Sequence, residues 1–94
     1  MTKDYKQGLS LIPSYMQLGL IDYIEHGIRP GDFLCEVIDN HLAEAFAHAD
    51  DTNRRLLPNY AQFLLYFMPA AAWGSTKARL EWQKTRCAEV ATNG

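Results

Sequence analysis

The sequence has few cysteines, no excess of positive charge and no long apolar run. Its two cysteines, Cys35 and Cys87, lie far apart within apolar helical patterns. This usage fits buried free thiols in a reducing compartment better than a disulfide framework. Nine basic and eleven acidic residues give a formal charge of −2, which does not indicate a surface built to neutralise phosphates. No segment approaches the roughly 20 apolar residues that cross a bilayer, so we expect a cytoplasmic protein without membrane contact.

The composition is that of an ordinary globular domain. The 94 residues are 48% hydrophobic and 21% charged, and eleven aromatic residues supply large side chains for burial. A chain of this length makes one domain around one core. We predict a loose N-terminal leader over residues 1–11, a single helical domain over residues 12–90 and a frayed tail over residues 91–94.

Apolar residues recur at helical spacing, and they predict an all-α fold. We expect a compact bundle of about five short helices with orthogonal or antiparallel packing. One region contains Pro58, which predicts either a kinked helix or a short turn followed by a helix that restarts at Pro58. The expected helical regions cover residues 13–26, 32–40, 41–49, 50–69 and 75–90.

Proline, glycine and capping residues mark the helix ends. Pro13 suits the first turn of a helix, and Gly27 suits a left-handed C-terminal cap, with Ile28 packing back. Asp32 is a predicted cap for the second helix. Asp50 and Asp51 are predicted caps before the Pro58 region, and Ser75 is one for the last helix.

Isolated polar residues do not predict a catalytic or metal centre. His41, Glu44 and His48 form one stripe on the third helix, but a single helix cannot surround a metal tetrahedrally. Leu42, Ala45, Phe46 and Ala49 define the apolar side of that helix, so the stripe is interpreted as a solvated face. Cys35, a histidine and Asp32 resemble a nucleophilic set only in residue type. We predict no enzymatic activity, no cofactor and no metal.

Basic residues on the last helix offer an alternative function in nucleic-acid or nucleotide binding. Trp73 and Trp82 are available for stacking on bases. Acidic residues interrupt the basic run, however, and favour an ordinary charged face. Nucleic acid is therefore an unlikely partner. The candidate contacts are Lys77, Arg79, Lys84 and Arg86.

Apolar residues exceed what one face of a helix can bury. In the first helix, three of them lie opposite the main apolar stripe, and the fourth helical region shows the same excess. They indicate either a helix packed on two sides or a surface for a protein partner or a second copy of the chain. The candidate interface residues are Tyr15, Leu18, Ile21, Leu65, Tyr66 and Trp73.

Several motifs resemble a family of short proteins encoded by tailed bacteriophages and prophages. The shared pattern is Ile-Pro, Gly-Leu-x-x-Tyr, Gly-Ile-x-Pro-Gly-x-Phe-Leu, Asn-x-Leu-x-Glu-Ala, Ala-Asp-x-x-Asn and Trp-Gly-Ser. These motifs fall at residues 12–13, 19–23, 27–34, 40–45, 49–53 and 73–75. Pro58 and the long last helix depart from the pattern. The resemblance implies a phage origin and a bacterial cytoplasm but supplies no mechanism.

A small helical protein without a convincing active site is expected to work by stoichiometric contact. The leading hypothesis is a phage accessory protein that binds a host or phage protein, including as an inhibitor of a host nuclease or defence complex. The alternatives are the nucleic-acid module and a homo-oligomeric structural or regulatory protein, for which a homodimer is the simplest form.

Overall fold

The chain folds into helices throughout the part that the structure describes. The computed structural model describes the backbone of residues 4–93 and the side chains of residues 4–88. Within this range there are six α-helices, two 3-10 helices and no strand. The α-helices are α1 (Ser14–His26), α2 (Asp32–Ile38), α3 (Leu42–His48), α4 (Asp51–Arg55), α5 (Leu57–Tyr66) and α6 (Thr76–Asn93). The 3-10 helices are Tyr5–Leu11 and Ala70–Ala72.

The all-α prediction is confirmed, whereas the number of helices is larger than expected. The radius of gyration of 12.7 Å is close to the roughly 12 Å of a folded domain of this length. The additional elements come from residues 5–11 and 70–72, which form 3-10 helices, and from the division of the Pro58 region into α4 and α5.

The predicted loose leader contains an ordered 3-10 helix. Gly8 is buried, and a Cβ atom added there would collide with the ring of Phe67. The Asn59 side chain donates a hydrogen bond to the Leu11 carbonyl at 3.0 Å. These contacts attach the segment to α5, and sequence reasoning missed them because they involve positions about 50 residues away. At the other end, the backbone of residues 91–93 continues α6, while Gly94 lies outside the described residues.

Helix α1 ends at Gly27, as the sequence predicts. Gly27 has a left-handed backbone with φ of 69°, and its N–H donates to the Tyr23 carbonyl at 3.0 Å. The position also faces α6, because an added Cβ atom would lie 2.6 Å from the Gln83 carbonyl oxygen. The expected packing of Ile28 is wrong, since this side chain is 52% exposed. Glycine is thus required here both by the backbone angle and by a close helix contact.

The turn between α2 and α3 is a Schellman motif. Asn40 adopts φ of 66°, and the His41 N–H donates to the Glu36 carbonyl at 2.9 Å. The Asn40 N–H donates to the Val37 carbonyl at 3.1 Å, which completes the pattern of bonds that closes a helix. At the start of α2, Gly31 is the cap rather than the predicted Asp32. Asp32 lies in the first turn, where it forms an ion pair with Arg29.

Leu56 separates α4 from α5, so the predicted restart is confirmed and the kinked alternative is not. The carboxylate of Asp50 accepts a hydrogen bond from the Asn53 N–H at 2.7 Å and caps α4. Asp51 is not the cap and lies in the first turn of the helix. Pro58 then lies in the first turn of α5, where its missing N–H costs no helical hydrogen bond. The apolar side chains of Tyr60, Phe63 and Leu64 on α5 are buried, and Phe67, just beyond the helix, is half-buried.

A buried ion pair joins α6 to the end of α2. The Arg79 Nε donates to Asp39 Oδ1 at 2.6 Å, and the other carboxylate oxygen accepts from Arg79 Nη2 and from the Thr76 hydroxyl. The Arg79 Nη1 also donates to Gln83 at 2.9 Å. The hydrogen bonds that Arg79 donates to Asp39 raise the pKa of Arg79. The helix begins as predicted, because the Ser75 hydroxyl accepts from the Ala78 N–H.

The buried aromatic residues satisfy their polar atoms inside the core. The Tyr23 hydroxyl donates to the Ala72 carbonyl and the Tyr60 hydroxyl donates to Asn53 Oδ1, both at 2.7 Å. Burial raises the pKa of both tyrosines. The Trp82 indole N–H donates to the Tyr23 carbonyl at 3.1 Å. These bonds join α1 to α6 and to the second 3-10 helix, and they join α4 to α5. No buried side-chain polar atom among the described residues lacks a partner.

Replacing Gly27 by alanine should destabilise the protein. The positive φ costs about 1–2 kcal/mol for a residue with a Cβ atom, and the contact with Gln83 adds to it. We expect a loss of about 2 kcal/mol or more in the free energy of unfolding, measured by urea denaturation. Gly31→Ala is the matched control, since an added Cβ atom meets nothing within 4 Å. Equal losses for the two variants would contradict the assigned contact.

Replacing Arg79 by methionine should cost about 3–5 kcal/mol of unfolding free energy, because it leaves the Asp39 carboxylate buried without its partner. The Asp39→Asn variant should also be destabilised. Combining the two changes should cost less than the sum of the single losses, since no unpaired buried charge then remains. Denaturant titration of the four proteins measures this coupling, and strictly additive losses would show that the pair does not act as a unit.

Candidate interaction surface

The predicted interface residues divide into exposed and half-buried groups. Tyr15 and Leu18 on α1 and Leu65 and Tyr66 on α5 each expose more than half of their surface. Ile21 is half-buried on α1. Trp73 packs against the core beside the second 3-10 helix. Four of the six candidates therefore belong to open surfaces, whereas Ile21 and Trp73 have a share in the packing of the fold.

Two exposed side chains on α3 form a further apolar face that sequence reasoning assigned to the core. Leu42 is 72% exposed and Phe46 is 51% exposed. They lie four residues apart and therefore on one side of the helix. Only Ala45 and Ala49 from the predicted apolar stripe are buried. The helical period grouped the four residues correctly, but it does not show how far around the helix the core extends.

The α1 and α3 faces both approach the junction between α3 and α4. The Tyr15 hydroxyl donates to Asp50 Oδ2 at 2.6 Å. The Arg54 guanidinium lies 4.9 Å from the centre of the Phe46 ring, and its Nε donates to the Phe46 carbonyl. These contacts hold two exposed aromatic rings in defined positions. Rings that are already ordered lose little conformational entropy when a partner covers them.

A small apolar groove lies between α3 and α5. Its volume is about 80 Å³. Leucine and alanine side chains form its walls, and Glu36 and His41 lie at its polar margin. The groove is lined by Glu36, Val37, Asn40, His41, Leu42, Ala45, Leu57, Tyr60, Ala61 and Leu64.

The basic residues proposed for nucleic-acid contact have unequal exposure. Lys77 and Lys84 are exposed, whereas Arg79 is 7% exposed and bound to Asp39. The Arg86 guanidinium lies 4.4 Å from the centre of the Trp82 ring. Arg79 therefore cannot contact a phosphate without breaking the buried ion pair. The alternative that uses this helix loses one of its four charges.

The polar residues that lie together at the start of α3 differ from the set His41, Glu44 and His48 that the sequence predicts. Glu36 from α2 joins His41 and Glu44, and one ligand atom from each lies within 4.8 Å of the others. The Nδ1 atom of His48 instead lies 3.0 Å from the Glu44 carbonyl oxygen. Residue spacing along α3 does not predict the position of Glu36, because Glu36 lies in α2 and the turn at Asn40 brings it close to His41 and Glu44.

The hydrogen-bond partner of the Cys35 thiol is a backbone carbonyl and not a histidine. Cys35 is 2% exposed, and its Sγ donates to the Pro30 carbonyl at 3.4 Å. Burial raises the pKa of this thiol, which disfavours the reactive thiolate. Cys87 is exposed, so the prediction that both cysteines are buried is right for Cys35 and wrong for Cys87. The sequence grouped Cys35 with Asp32, but that carboxylate is exposed and bound to Arg29.

Comparisons with protein-family models, with curated proteins and with solved structures found no significant match. In the described part of the chain, no helix has the length and apolar character needed to cross a membrane.

Removing the Tyr15 hydroxyl should raise the pKa of Asp50. The hydrogen bond from Tyr15 and the bond from the Asn53 N–H hold the Asp50 pKa below its ordinary value of 3.8. A lowered folded-state pKa stabilises the protein above the unfolded-state value, and this contribution disappears as the pH falls through the folded-state value. In Tyr15→Phe we expect the pKa of Asp50 to move toward 3.8, measured by NMR titration of its carboxyl carbon. An unchanged Asp50 titration would contradict the contact, and Tyr66→Phe is the control.

Proposed function

We propose that this chain is a small, non-enzymatic phage accessory protein that acts by binding another protein in the bacterial host cytoplasm. The observation that supports this proposal is a set of large apolar side chains that remain more than half exposed, although other apolar residues already form a buried core. The ones that support the proposal are Tyr15 and Leu18 on α1 and Leu65 and Tyr66 on α5. The motifs that resemble short phage proteins support the setting.

The grouping of these side chains supports binding more than their number does. Single exposed apolar residues are common on protein surfaces. Here Tyr15 and Leu18 share a face of α1, and Leu65 and Tyr66 are adjacent at the end of α5. Tyrosine contributes strongly at protein interfaces because its ring buries a large area at low entropy cost. We therefore assign the α1 face and the α5 end as the binding surfaces.

In its finer form, the proposal is a stoichiometric inhibitor of a host nuclease or defence complex. An inhibitor of this kind needs a stable surface rather than reacting groups. The buried Cys35, with its raised pKa, and the Asp32–Arg29 ion pair are consistent with a structural use of those residues. The partner is a host or phage protein.

Two other functions remain as competing proposals. A homodimer would use the same apolar faces, and its mass in solution would show it. A nucleic-acid or nucleotide module would use Lys77, Lys84 and Arg86 on α6, but the burial of Arg79 weakens this reading. Both alternatives predict outcomes that differ from capture of a second protein.

Serine substitutions at Leu18 and Leu65 should weaken capture of a partner from bacterial lysate by about tenfold or more, since each removes an exposed apolar contact from a proposed surface. Leu80→Ser is the matched control, because Leu80 is equally apolar and more than half exposed on α6. Capture is quantified by mass spectrometry of nuclease-treated lysate. Thermal unfolding checks that the variants remain folded.

Three results would contradict the proposal. The first is equal capture by Leu18→Ser, Leu65→Ser and wild type. The second is loss of all bound material after nuclease treatment, which would favour nucleic acid. The third is a stable dimer whose dissociation follows the same substitutions, which would favour self-association.

A further inference from the structure

Glu36, His41 and Glu44 converge at the polar margin of the groove between α3 and α5. One ligand atom from each lies within 4.8 Å of the other two. The three residues come from the last turn of α2, the connecting turn and the first turn of α3. We propose that they form an open binding site for a divalent transition metal of the zinc type.

The donor set fits this class of ion. An imidazole nitrogen with two carboxylate oxygens is a ligand set that zinc accepts, whereas magnesium and calcium prefer oxygen alone. Ligands about 2.0–2.2 Å from zinc lie roughly 3.4 Å apart in a tetrahedron. The three ligand atoms now lie within 4.8 Å of one another. The Glu44 side chain, which is exposed, must rotate to shorten these distances. The carboxylate of Glu44 must therefore move closer to the other two ligand atoms when a metal binds.

The backbone already holds two of the three donors together. The bond from the His41 N–H to the Glu36 carbonyl fixes the His41 backbone one turn beyond Glu36. Their side chains meet as well, with His41 Nδ1 lying 3.1 Å from Glu36 Oε2. Glu36 is less exposed than His41, at 23% against 46% of the side chain. A metal bound here would replace the direct contact between His41 Nδ1 and Glu36 Oε2, which the turn already holds together.

The local charge also favours a cation. In the described part of the chain, neither Glu36 nor Glu44 forms an ion pair with lysine or arginine. His41 is thus the one basic side chain in the described residues that pairs with either carboxylate. A divalent ion would balance the two carboxylate charges. Three protein ligands leave the fourth position of a tetrahedral zinc ion for water.

Calorimetric titration with zinc chloride at neutral pH tests the site in the tag-free protein. All proteins carry Cys87→Ser, because the exposed thiol is itself a zinc ligand. We expect one zinc ion per chain and a weakening of about tenfold or more in each of His41→Gln, Glu36→Gln and Glu44→Gln. Magnesium chloride should give no comparable binding.

His48→Gln is the matched control, since His48 is an exposed histidine at the other end of α3. It should bind zinc like the parent protein. Absence of zinc binding would overturn the proposal, as would unchanged affinity in His41→Gln or Glu36→Gln. Loss of binding in His48→Gln with Glu36→Gln unaffected would overturn it in favour of a stripe confined to α3. A cobalt titration followed by visible absorption provides a second readout that does not depend on thermal stability.

Discussion

The ion pair between Asp39 and Arg79 connects the end of α2 to α6, and the arrangement of the surface depends on it. Asp39 accepts from Arg79 and Thr76 on one side and precedes the left-handed Asn40 on the other. A fixed Asp39 therefore fixes where the Schellman turn begins. This turn brings His41 next to Glu36. It also places α3 beside the groove. A core of this size has few such buried charges, and each must be paired to be tolerated.

Local signals in the sequence predicted the helix ends well. Gly27, Asp50 and Ser75 act through hydrogen bonds to residues within one turn, and Pro58 needs no N–H partner in the first turn of α5. Their roles can therefore be derived from neighbouring positions. The failures concern contacts between distant segments. Arg79 looked like one more surface cation because its partner lies 40 residues away.

The candidate site was predictable to a similar extent. Excess apolar residues on α1 and α5 indicated either a helix packed on two sides or an exposed surface, and the sequence alone did not distinguish the two. The same reasoning placed Leu42 and Phe46 in the core, since a period identifies a face without measuring how much of it is covered. The sequence paired His41 and Glu44 with His48, whereas the fold pairs them with Glu36. The contact with Glu36 depends on the turn at Asn40, and a residue pattern within one helix does not predict such a turn.

The central claim is that the exposed faces of α1 and α5 meet another protein in the bacterial cell. The most direct measurement places a photoreactive amino acid at position 18, 65 or 80 and irradiates intact bacteria that produce each variant. The account predicts cross-links from positions 18 and 65 to a second protein, identified by mass spectrometry, and none to that protein from position 80. Equal cross-linking from position 80, or cross-links from positions 18 and 65 only to another copy of this chain, would contradict it.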